Sequence, residues 1–451
     1  MHTKSLRSWL EYLRAQGEMV EIARPVELRY ELAAVVKRLD GQKAVLFSQL
    51  VGHPGRVVSG VVGSRELIAQ ALGVRPAELS RRFARALEGP IPTRQVRPDQ
   101  APAKEVAVAG EIDLTALCPI PTHHRHDAGP YITAGLLIVR DPDTGKHNVA
   151  IHRLQVLGPN RLGILLLPRH TRQLFRRFEQ RGEPLPCAIV IGVDPITLLA
   201  SQATAAYGVD ELEVAGALRG EPLPVVRCDT VDVEVPATAE FVLEGRLLPH
   251  TRAPEGPFGE FPRYYGARGE REVVEVVAAT HRRDPIFHTI LPAGREHLLL
   301  GAIPREAGIF DAVYRVVPGV QAVHLTPGGS GRFHCVVSIR KDEEGQGKLA
   351  ALAALSTHPD LKHVVVVDED IDAFDLESVE WALATRFQAD QDLVAVSGSQ
   401  ASRLDPTSVR GVGAKLGFDC TIPLDADRSR FTPIDIPGYE AINLADYGLD
   451  R

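Results

Sequence analysis

Between about residue 105 and residue 290 the chain carries short β-rich runs, while the residues on either side mix helices with strands, so any fold must house both textures. The runs are Ile132 to Val139, Leu162 to Leu167, Ala188 to Val193, Val225 to Val235 and Glu272 to Ala279. Turn signals such as Asp141-Pro-Asp-Thr-Gly145 and Gly158-Pro-Asn160 join them, which predicts a β-barrel or sandwich with helical interruptions at 171–181 and 211–218. Ahead of this block, Leu6, Trp9, Leu10 and Leu13 share one helical face and Gly17 stops the helix. Strands follow at 19–22 and 44–47, with helices at 32–39, 65–72 and 76–88. The stretch 94–104, broken by Pro98 and Pro102, reads as a linker or surface crossing. Beyond Pro304 the α/β pattern returns, with helices at 349–355 and 376–386 around a strand at 363–367. The class is α+β. The expected divisions are 1–110, 111–305 and 306–451.

With 451 residues, 44% of them hydrophobic, the chain can bury a substantial core in two or three domains. The balance of 51 basic against 58 acidic residues has no basic run that would suit nucleic acid. The five cysteines are far apart and form no CxxC pair, which points to a reducing compartment without a disulfide frame. No secretory leader is legible at the N-terminus, and no stretch reaches the ~18 apolar residues of a membrane helix. A cytoplasmic protein is expected.

Chemistry concentrates in Glu255-Gly-Pro-Phe-Gly-Glu-Phe-Pro-Arg-Tyr-Tyr-Gly266. Gly-Pro-Phe-Gly cannot continue a regular helix or strand, so the loop can curl and bring Glu255 and Glu260 toward one point. Paired carboxylates suit acid/base work, and solvated glutamates on a surface turn are the plain alternative. The His123-His-Arg-His126 cluster has the composition of a metal site, but adjacent histidines do not converge on one ion, so it reads as a loop near the site. Asp368-Glu-Asp370 with Asp372 reads as a solvated turn after a buried strand. Asn148 and Arg153, five apart on a strand-like segment, should face opposite ways unless the strand bulges. His170 follows the next apolar run and Glu211 opens a helix. Each alone is unremarkable.

In order and spacing, Asn148…Arg153, His170, Glu211 and Glu255-x4-Glu260 resemble the UbiD family of reversible decarboxylases. The likeness runs from Thr115–Thr133 through Glu213-Val-Ala-Gly216, Val235-Pro-Ala-Thr238 and Glu244-Gly245. It resumes at Val367–Asp372, Trp381–Arg386 and Gly413-Ala-Lys415, so it covers nearly the whole chain.

The resemblance implies a split β-barrel core that binds prenylated FMN, a divalent metal (Mn2+ or Mg2+) and potassium, with a C-terminal α/β oligomerisation domain. It implies Asn148, His170 and Glu211 as ligands of the divalent metal, a donor set of two oxygens and one imidazole that suits octahedral geometry. Potassium would be held at Val149, Ala200, Ser201, Ala203 and Glu211. Further cofactor contacts would come from Thr133, Arg153, Arg169, Gln202 and Lys415, with Arg169 standing where some relatives have glutamine. Glu255, Arg153 and Glu260 would form the catalytic network. Substrate would attach covalently to the cofactor, which acts as electron sink, and Glu260 would return a proton after CO2 leaves. A desolvated Glu260 beside Phe261 would have a raised pKa, opposed by Arg153. Implied partners are a prenyltransferase that supplies the cofactor and a homodimer or hexamer.

The substrate expectation rests on Gly294-Arg-Glu-His297 and Pro304-Arg305. Pro304 suits the first turn of a helix, which would put Arg305 where amides attract anions. A His/Arg pair at this spacing resembles the branch acting on furan-2,5-dicarboxylate, with Arg305, His297 and Phe261 at the substrate. Other acrylic, aromatic or heteroaromatic acids, pyrrole-2-carboxylate among them, are the alternatives. Two readings from other classes stand beside it, a flavin reductase-like protein and a metal-dependent hydrolase using His170 and Glu211. Absorbance with and without cofactor biosynthesis separates all three.

Overall fold

A computed structural model describes residues 3–449. At its centre two long strands, Phe241–Glu255 and Gly269–His281, run antiparallel as the spine of a nine-stranded sheet. On one flank lie Arg161–Ile164, Leu154–Val156 and Tyr131–Ile132, and on the other Leu185–Ile191, Leu136–Arg140 and His147–Ile151. The two end strands do not pair with each other, so the sheet is a barrel left open. The expected strand 132–139 is therefore two. Tyr131–Ile132 pairs with Leu154–Gln155, Leu136–Arg140 pairs with the opposite flank, and Thr133-Ala-Gly135 spans the gap. Val225–Val235 likewise divides into Pro224–Arg227 and Glu234–Pro236, an antiparallel pair. Apolar clusters cover both faces of the central sheet. One carries Trp9, Phe83 and Ile303, the other Phe47, Phe175 and Phe287.

The N-terminal segment adds a four-stranded sheet whose last strand, Ile286–His288, is supplied from beyond the barrel. Residues 94–104 hold a two-residue strand and two short turns, the expected surface crossing. The C-terminal region is a five-stranded sheet with a parallel valine-rich centre, His334–Ile339, His363–Asp368 and Val412–Cys420. At the end of its middle strand the acidic run is not simply solvated. Asp368 is buried, and Arg386 pairs with it at 3.4 Å and with Asp370 at 2.7 Å. All five cysteines are free and buried. No helix among the described residues is long and apolar enough to cross a membrane.

Helix Arg295–Tyr314 joins barrel to C-terminal sheet and corrects one expectation. Pro304 lies inside it rather than at its start, so Arg305 is a mid-helix residue with no helix-terminal amides around it. Residue 305, the expected boundary, falls within this continuous helix. A proline there removes one hydrogen bond and costs ~3 kcal/mol, but the helix is buried along most of its length, and that burial holds it together.

The same helix is pinned by Glu306. Its fully buried carboxylate takes a two-pronged bond from Arg65 at 2.9 Å per prong and accepts the Leu325 amide at 2.9 Å. Burial opposes ionisation, yet Arg65 and His324 hold this carboxyl at about 2. We expect Glu306→Ala to cost about 3–5 kcal/mol by stranding the Arg65 guanidinium, read as a lower urea midpoint. Because the carboxyl pKa is depressed, its contribution is complete above the ordinary glutamate range and lost as pH falls toward 2.

Candidate active site

Glu255 ends the long strand Phe241–Glu255, and Gly256, at φ +88°, turns the chain out of the sheet. Phe258–Gly259 then pairs with Tyr265–Gly266, and the short loop between them carries Glu260. The curl brings both carboxylates to one guanidinium. Arg153 Nη2 donates to Glu255 at 2.7 Å and Nη1 pairs with Glu260. The Tyr131 hydroxyl fixes Glu255 from its other side at 3.1 Å, and Gln155 accepts the Gly256 amide at 2.9 Å. Below the loop, buried Asp127 accepts the Gly259 amide at 2.9 Å and the His124 amide at 2.8 Å. The histidine cluster thus braces the loop. His123 bonds Thr289 and His124 stands edge-on to Tyr265.

Burial raises the pKa of Glu260, with Arg153 and Arg332 opposing. Burial also weighs on Arg153, but the two glutamates keep its guanidinium charged. One acid able to hold a proton beside a fixed cation is an acid/base site.

Strand His147–Ile151 stops before His152 and Arg153, and this break lets Asn148 and Arg153 line one cavity despite their five-residue spacing. The cavity measures about 760 Å³ and is bordered by Thr133, Val149, His170, Ser201, Gln202 and Ala203, along with Arg169 and Glu211. That volume lies in the ~300–1,000 Å³ range of cofactor pockets.

Glu211 reaches the cavity because Asp210 does two jobs. It caps the helix at the Leu212 amide (2.9 Å) and accepts both the backbone N–H and Nδ1 of His147, each at 2.9 Å, which clamps helix to strand. Glu211 then accepts Asn148 Nδ2 at 3.1 Å and the Val149 amide at 2.8 Å. It has no ion-pair partner among the described residues, and burial pushes its carboxyl up to about 8. A buried carboxylate without a cation, beside an amide and an imidazole kept neutral by burial, fits a hard divalent ion. No group of three His, Cys, Asp or Glu suited to a metal occurs among the described residues. This trio contributes two such side chains and an amide, so an ion placed there would need further oxygens from a bound ligand.

The third wall comes from helix Arg295–Tyr314. His297 and Arg305, eight apart on that helix, both border the cavity. His297 Nδ1 accepts the Ala293 amide at 3.1 Å, so its proton sits on Nε2, and burial holds the ring neutral with a pKa of about 3. Arg305 donates to the Gly301 carbonyl and, at 3.3 Å, to His358. Gly301 makes room for two guanidiniums. A Cβ there would lie 3.1 Å from Arg332 and 3.5 Å from Arg305. Arg332, which sequence reasoning missed, stacks 4.2 Å over Phe261, and its one ion-pair contact among the described residues is Asp360, at 3.9 Å. Its single sequence signal is the Gly328-Gly-Ser-Gly331 turn before it. Tyr131 and Asp127 were missed too.

Two expected contacts fall elsewhere. Lys415 does not border the cavity; its ammonium donates to the Leu355 and His358 carbonyls at 3.0 and 2.9 Å, behind the His358 wall. Ala200 is fully buried outside it, and its carbonyl accepts the Ala203 amide at 2.9 Å. Arg169 borders the cavity but bonds His358 at 3.0 Å.

Three family models match in series. They are the 3-octaprenyl-4-hydroxybenzoate carboxy-lyase N-terminal domain over 10–87, the Rift-related domain over 94–295 and the C-terminal domain over 298–420. An anhydromevalonate phosphate decarboxylase of Methanothermobacter thermautotrophicus is 41% identical over 93% of this chain and 97% of its own. The UbiD-class enzyme HmfF of Pelotomaculum thermopropionicum, solved with FMN, is 54% identical, with a TM-score of 0.97 over 98% of this chain and all of that one. An evolved dimeric form of HmfF, solved with prenylated FMN, superposes with a TM-score of 0.93 at 51% identity over 99% of this chain and all of that one.

Proposed function

This chain belongs to the UbiD family of decarboxylases, and on that premise we propose that it removes one carboxyl group from furan-2,5-dicarboxylate, giving 2-furoate and CO2. The observation that carries the substrate is Arg305, a buried guanidinium that forms no ion pair among the described residues. Burial followed by Arg332 pulls its pKa well down, so the site asks for an anion. A substrate's second carboxylate answers it, with Nε2–H of His297 as a further donor. A monoacid would leave the cation uncompensated.

Thr133, Asn148, Arg169, His170, Gln202 and Glu211 would hold the cofactor and its metal, and Val149, Ser201 and Ala203 the potassium ion. Prenylated FMN, when bound, supplies the sink for the electron pair that CO2 leaves behind. Protonated Glu260 gives its proton to the carbon that lost the carboxyl group, and Arg153 stabilises the glutamate that remains. Glu255, fixed by Tyr131, keeps Arg153 in place. A homodimer or hexamer and a partner prenyltransferase go with this reading.

A phosphorylated acid is the second reading, because the same cations suit a phosphate and a 41% identical relative decarboxylates anhydromevalonate phosphate. CO2 release by holoenzyme from the diacid, anhydromevalonate phosphate and pyrrole-2-carboxylate decides, and preference for either of the last two defeats the proposal. Arg305→Ala should raise KM for the diacid ~10- to 150-fold, the worth of a charged hydrogen bond, and change that for small monoacids little. Equal losses on both would count against it.

A further inference from the structure

Beyond the inner cations, the cavity has an outer pair that the chemistry above does not use. Arg403 and Arg410 border the cavity yet are solvent-exposed, so they stand at its mouth, as does Arg169. Their placement is built. Val409 and Val412 exchange backbone hydrogen bonds at 2.9 and 3.0 Å, and between them Arg410 and Gly411 have φ of +56° and +78°. This is the primed two-residue turn that closes tight hairpins. Arg410 occupies a left-handed conformation that costs an ordinary residue ~1–2 kcal/mol. Gly411 lets Arg403 lie along the turn, since a Cβ there would come within 3.3 Å of Arg403 Cγ.

Neither arginine forms an ion pair among the described residues, although acids stand close by. Those acids are taken. Asp360 faces Arg332 at 3.9 Å, Asp405 is held by Lys362 at 2.8 Å, and Glu260 by Arg153. The chain as a whole carries −7, which repels a dianion, so unpaired cations at the cavity mouth matter for encounter.

We propose that Arg403 and Arg410 form a capture site that draws a doubly charged acid to the mouth and passes it inward to Arg332 and Arg305. This rests on the diacid reading. Charges at a rim act mainly on association and are screened by salt, with a Debye length of ~10 Å at 0.1 M.

The test is stopped-flow mixing of holoenzyme with furan-2,5-dicarboxylate, followed by flavin absorbance across a range of NaCl concentrations. The double variant R403Q/R410Q should associate ~10-fold more slowly at low salt and lose most of the salt dependence. The loss should fall on kcat/KM rather than kcat, and R403K/R410K should restore the slope where a merely structural role would not. If wild type releases CO2 from the diacid and the double variant keeps its association rate and salt slope, the capture site is overturned alone. If wild type releases none, the substrate reading falls and the capture site with it.

Discussion

Glu260→Gln leaves flavin and metal in place and lowers turnover by ~10²–10⁴, the range that a positioned general acid contributes. The amide has the shape of the acid and keeps a partner for Arg153, but it has no proton of suitable acidity to deliver. Its neighbours set the reach in pH. Burial raises the carboxyl pKa while Arg153 and Arg332 pull against it, so the acid form persists above the ordinary glutamate range. Since the acid form is the one used, kcat should hold at low pH and fall as pH rises through the raised value. A variant that decarboxylates at the wild-type rate, or a kcat profile that rises over that window, removes Glu260 from the role.

Where local pattern decided the structure, it was legible. The helix with Trp9 and Leu13 on one face, the all-apolar strand Ala44–Phe47 and the helix opened by Glu211 lie where periodicity puts them. What the residues misjudged or left open depended on tertiary context. Pro304 reads as a helix start by local rules, but burial on both sides carries the helix through it. Asn148 and Arg153 look opposed until the strand breaks between them, a break that the residues alone leave open. Arg332 and Arg305 come from segments 27 residues apart and both lie beside Gly301, where a Cβ would stand 3.1 and 3.5 Å from them. Lys415 matched a family pattern in sequence, yet its ammonium satisfies two carbonyls behind the cavity wall.

Glu211→Ala should empty the site of metal and flavin together. Glu211 is 3% exposed, and its carboxylate joins the Asn148 amide to the Val149 backbone. Removing it takes away the single anionic donor of the trio and leaves the buried Val149 amide and the half-buried Asn148 Nδ2–H without that partner, so charge balance and shape are lost at once. A divalent ion would then keep one amide oxygen and one imidazole from the protein. Because loss of a supporting group around a metal already costs ~10–100-fold in affinity, loss of this ligand should cost at least ~100-fold. Any phosphate-bearing cofactor bound through that ion should leave with it. The alanine variant also opens a void, so Glu211→Gln is the sharper measurement: it keeps the shape and one acceptor for the Val149 amide, and removes the negative charge together with the oxygen that accepts Asn148 Nδ2. Metal content by elemental analysis and flavin absorbance of the purified protein, with circular dichroism confirming the fold, read the outcome. If Glu211→Gln retains stoichiometric metal and flavin, the charge is not what holds the ion, and the assignment of Asn148, His170 and Glu211 as its ligands is wrong.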